Sequence, residues 1–89
     1  MNRPIKVHGI MARVAAHSFD RRTNVHEFTV EADGLPVTVV YFEDSGSITA
    51  HTVTAQKRPD AAIGAAMAAA FYHLGATRAV AELTQEANP

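Results

Sequence analysis

Residues 25–44, "VHEFTVEADGLPVTVVYFED", decide how this chain is read. In the first part, Glu27, Thr29 and Glu31 alternate with His26, Phe28, Val30 and Ala32. That two-residue period marks a strand with one face on a core and one in water. Asp33-Gly34 is a turn signal, because glycine takes positive φ without a Cβ clash. With Leu35-Pro36 the connection reads as longer than two residues, and 37–44 returns as the next strand. Val37, Val39 and Tyr41 on one side and Val40 and Phe42 on the other make both faces apolar, the pattern of a central strand or a doubly covered one.

Working outward, residues 5–19 fit a strand in which Ile10, Ala12, Val14 and Ala16 alternate with Met11, Arg13, Ala15 and His17, bulged near Gly9. Phe19 to Asn24 is a polar turn, and so is Ser45-Gly46-Ser47. The Thr-rich run 48–56 reads as an edge strand. Pro59 and Asp60 then announce a helix, Pro in the first turn and Asp60 against the free amides and the dipole. Ile63, Met67, Phe71 and Leu74 form one stripe expected to lie on the sheet. Gly75 is placed as the residue that ends this helix, and a second, short helix is expected over 76–87, with Val80, Leu83 and Ala87 on one side. The expected fold is α+β: a three- to four-stranded antiparallel meander, an Ala-rich helix on one face and a short C-terminal helix, all in a single domain over residues 1–89.

Composition limits the function classes. The chain has 89 residues, is 47% hydrophobic and contains no cysteine, which excludes disulfides and thiolate metal sites and fits a cytoplasmic protein. Lys6, His8 and Arg13 interrupt the N-terminal apolar residues, so no signal peptide is read, and the uncharged stretch 61–77 is too short for a membrane span. Residues 1–22 carry Arg3, Lys6, Arg13, Arg21 and Arg22 against Asp20 alone. Residues 23–56 carry Glu27, Glu31, Asp33, Glu43 and Asp44 and no Lys or Arg. Those five acids are the candidate partner-binding set, an acidic sheet surface for a protein with a basic surface. Ordinary solvated polar faces explain the same pattern without any partner.

The side of the helix opposite its large residues carries Ala61, Gly64, Ala65, Ala68 and Tyr72. Such a face is either bare, covered by the C-terminal helix, or an interface with another chain, including a homodimer. The histidines, His8, His17, His26, His51 and His73, show no metal-ligand spacing, although strands can bring His26 near His51. There is no nucleophile motif and no phosphate or dinucleotide glycine loop, so neither catalysis nor a cofactor is expected. The alternative is a small module resembling double-stranded-RNA-binding domains, with Arg21, Arg22, Lys57 and Arg58 on phosphates. The acidic strands and a pI near 6.5 disfavour nucleic acid.

"HEFTVEADG" and "PDAAIGAAMAAAFYHLGA" together resemble certain small phage-encoded anti-CRISPR proteins, inhibitors of the type I-F surveillance complex that pair a small antiparallel sheet with an Ala-rich helix. The resemblance covers about half the chain, and the strand-like segment 37–56 departs from it. It implies a non-enzymatic inhibitor that occupies a CRISPR effector complex, with Glu27, Glu31, Asp33, Glu43 and Asp44 as its docking charges.

Overall fold

The computed structural model describes residues 4–52 and 58–86, with side chains as far as Gly75. Five antiparallel strands run as a meander in the order β1 (Ile5–Val7), β2 (Ile10–Asp20), β3 (Val25–Ala32), β4 (Leu35–Phe42) and β5 (Ser47–Thr52). One helix, α1 (Pro59–Glu86), follows and crosses one face of this curled sheet, touching every strand. The α+β class and the strand β3 stand as the sequence suggests, with β4 internal and β5 at an edge.

Three details differ. The first expected strand is two, because His8 and Gly9 both adopt positive φ and close a two-residue hairpin between Val7 and Ile10. Asp33-Gly34 makes the same kind of turn, with Ala32 paired directly to Leu35, so Leu35 and Pro36 belong to the strand rather than to a longer loop. The bulge lies at Ala15 instead of Gly9. There the pairing of β2 with β3 shifts between Val14 and Ala16.

The helix is also single. Gly75 does not end it, and the expected second helix is the continuation of the first as far as Glu86, Ala87 lying outside the described residues. One helical glycine costs about 1 kcal/mol relative to alanine. Breaking the helix would leave four carbonyls and four amides to be satisfied at the new ends. Continuation therefore costs less.

The core is built from large side chains on the sheet and methyl groups on the helix. Ile10, Phe28, Val30, Val37 and Val39 are fully buried, and they meet Ala62, Ala65, Ala66, Ala69 and Ala70. The predicted stripe is thus misplaced around the helix axis. Only Leu74 of its four members is buried; Ile63 and Met67 are half-buried, and Phe71 is 48% exposed. The sheet already fills the concavity, so the side of the helix with the smallest side chains fits against it. Of the face expected to need a cover, the sheet buries Ala65 alone; Ala61 and Ala68 are half-buried, and Gly64 and Tyr72 remain exposed.

Arg58 ties the helix start to the hairpin ends. Its backbone oxygen accepts the amide of Ala62 at 2.9 Å. Its guanidinium donates to the His8 carbonyl at 3.3 Å and lies 3.8 Å from Asp33 Oδ2. Both charged groups of that pair are about half exposed, so it positions rather than stabilises. No helix among the described residues is long and apolar enough to cross a membrane.

Candidate functional site

The bulge at Ala15 determines what one end of the sheet displays. Before it, Ile10, Ala12 and Val14 face the helix; beyond it the parity inverts, and His17 and Phe19 turn inward. His17 pairs across the strands with Phe28, and Phe19 with His26. His26 is itself an inward residue of β3, only 5% exposed, and its partner on β4 is Tyr41.

This brings four groups from four elements together. His17 Nε2 lies 2.9 Å from His26 Nδ1, and His26 Nε2 lies 2.9 Å from Glu43 Oε1, on the turn after β4. His73 on α1 meets the His17 ring edge-on at 5.2 Å. Aromatic faces enclose the array: Phe28 stacks on His17 at 4.3 Å, and Phe19 on His26 at 4.3 Å. Tyr41 tilts against His26 at 5.8 Å and receives the edge of Phe71 at 5.5 Å. The pKa of His17 is lowered, first by burial and then by the nearby His26 and His73.

The partners fix the tautomers. An ionised Glu43 accepts only, so His26 Nε2 carries the hydrogen. In the neutral array His26 Nδ1 is then a lone pair, and His17 Nε2–H donates to it. The arrangement is a carboxylate–imidazole–imidazole chain of two hydrogen bonds. Among the described residues no group of three or more His, Asp or Glu side chains converges to hold a metal ion.

The acidic partner-binding set is not one patch. Glu27 and Glu31 share the outer face of β3, where Glu31 is 3.0 Å from Arg13 across the strand pair. Asp33 sits at one end of the β3–β4 hairpin beside Arg58. Asp44 is at the other end, holding the Asn24 side chain at 3.0 Å, with about 25 Å of strand between the two ends. Glu43 turns to His26. The alternative RNA set is likewise divided. Arg21 and Arg22 lie in the β2–β3 turn, Arg58 lies by the β1–β2 turn at the far end of β2, and Lys57 is outside the described residues. The proposed helix interface divides as well: Ala65 is buried on the sheet, Ala61 and Ala68 are half-buried, and Gly64 and Tyr72 are exposed. His51 points to the outer face of β5, away from His26.

Sequence reading passed over the array because simple alternation put His17 on the wet side. His26 alone, at an inward position of a clear strand, signalled that a polar partner had to be found. Comparison with known proteins finds no matching family model, no similar curated protein and no similar solved structure.

Proposed function

We propose that this protein is a small non-catalytic interaction module that binds a protein partner on the outer face of its sheet. The observation that carries the reading is the composition of that face, opposite the helix. At one end of that face Phe42 is 38% exposed beside half-buried Val25 and Val40 and the carboxylate of Glu27. At the other end Met11 is 46% exposed beside Lys6 and the Arg13–Glu31 pair. Apolar anchors rimmed by charge suit a protein surface with apolar pockets and basic margins. Glu27, which pairs with Ser18 and Val40, is the acid on this face best placed to meet a cation, since Arg13 already neutralises Glu31. The dispersal of the other acids supports a docking surface of modest charge in preference to a mimic of a nucleic-acid strand.

The resemblance to phage-encoded anti-CRISPR proteins makes a type I-F effector complex with a basic surface the first partner to test. Immobilised protein is exposed to that complex, and to a host lysate with RNA and proteins both identified. Met11→Glu and Glu27→Lys, both at exposed sites, are expected to lower capture of a protein partner at least tenfold. Retention of full capture by both variants, or recovery of RNA alone, overturns the proposal.

A further inference from the structure

Two imidazoles that face each other nitrogen to nitrogen have room for one proton between them. His17 Nε2 and His26 Nδ1 stand in this relation at 2.9 Å, with Glu43 anchoring the far nitrogen of His26 at 2.9 Å. In the neutral array the shared hydrogen is on His17. A first added proton enters at His17 Nδ1, and the Nε2 hydrogen passes to His26 Nδ1. His26 is then an imidazolium donating to Glu43 on one side and to His17 on the other, and no ring needs to move. A second proton has no such place. It puts N–H groups on both facing nitrogens and two positive charges in the gap, which turns the hydrogen bond into a repulsion.

The surroundings sharpen this limit. Among the described residues, the titratable groups facing the pair are Glu43 from the turn after β4, Tyr41 from β4 and His73 from α1. The other inward positions of the five strands are apolar apart from Thr52. Among the described residues the Glu43 carboxylate is the negative group that meets the pair, and it contacts His26 alone of the two rings, while a charge on His73 adds to the repulsion. Phe28 and Phe19, stacked on the two rings, can favour a single cation but do not neutralise a second.

We infer that the His17–His26–Glu43 array is an acid-triggered latch, closed with no proton or one proton added and opened by the second. The part of β2 beyond the bulge carries both His17 and Phe19, so separation of the two rings draws both away from β3. That uncovers the apolar faces of Phe28 and Phe19 next to Tyr41 and Phe71. The lowered pKa of His17 agrees with a closed state that resists its charging.

The test needs no variant to begin. In the wild-type chain, imidazole nitrogen shifts are followed by NMR from about pH 8 to about pH 4, alongside binding of an apolar dye. The expected result is two protonation steps shared by His17 and His26, separated by about one pH unit or more, with dye binding only at the lower one. His17→Gln, which keeps a hydrogen-bonding side chain but cannot take the second proton, is expected to lose the dye step. If the two histidines titrate independently in the wild type, or no dye binds, the latch is wrong. An unchanged dye step in the folded His17→Gln variant also overturns it.

Discussion

His17 and His26 are hydrogen-bonded ring to ring at 2.9 Å, although strict alternation along β2 would put His17 on the opposite face of the sheet. The bulge at Ala15 reconciles the two. A single extra residue inverts the parity of the strand beyond it, so everything built at this end of the molecule depends on it.

Stability should therefore depend on pH through His17. Its folded-state pKa lies below the ordinary 6.5, so between the two values the unfolded chain binds the proton and the folded one does not. The contribution is fully present above 6.5, is lost as pH falls from there toward the folded value, and levels off below it. Urea unfolding at a series of pH values should show this loss in the wild type and a shallower one in His17→Gln. Parallel curves would contradict it.

The inward Ala face of α1 should resist enlargement. Ala66 is fully buried, and Ala66→Leu should cost about 1–3 kcal/mol by overpacking. Phe71→Ala, at a half-exposed site whose ring meets Tyr41, should cost about 1 kcal/mol, well below the 3–5 kcal/mol typical of a core phenylalanine. Denaturant midpoints decide between this orientation and the stripe expected from sequence, for which the order of costs is reversed.

Gly64 is helical and exposed, and a Cβ there meets nothing within 4 Å. Gly64→Ala should stabilise the isolated protein by about 0.5–1 kcal/mol through the unfolded state. A loss of stability that depends on protein concentration would instead reveal a second chain against this face.

The turn at Gly34 gives the opposite result for the same change. Its φ is +80°, and although a Cβ would have open space, an L side chain is strained in that conformation. Gly34→Ala should destabilise by about 1 kcal/mol. Thermal unfolding of the two glycine variants side by side separates backbone strain from packing.

Much of the architecture was legible because it follows from local rules. The alternation in residues 25–32 placed Phe28 and Val30 inward and Glu27 and Glu31 outward, and the doubly apolar strand after it is internal. Asp33-Gly34 marked a turn, and Pro59-Asp60 marked the helix start. The candidate site was hardly legible. Its acids were grouped by nearness in sequence, whereas the hairpin sends Asp33 and Asp44 to opposite ends and turns Glu43 toward a histidine.

By itself, then, the sequence determined the strand-rich first part, the helix start at Pro59-Asp60 and the polarity of most strand faces. These depend on side-chain period and on backbone preferences of a few residues. Tertiary structure decided the rest. Which side of α1 faces in depends on how much volume the sheet leaves, and opposite Phe28, Val30 and Ile10 the helix buries alanines, with Leu74 as its one large buried side chain among the described residues. Whether His17 meets His26 depends on one bulged residue, a feature of pairing between strands that no single strand encodes.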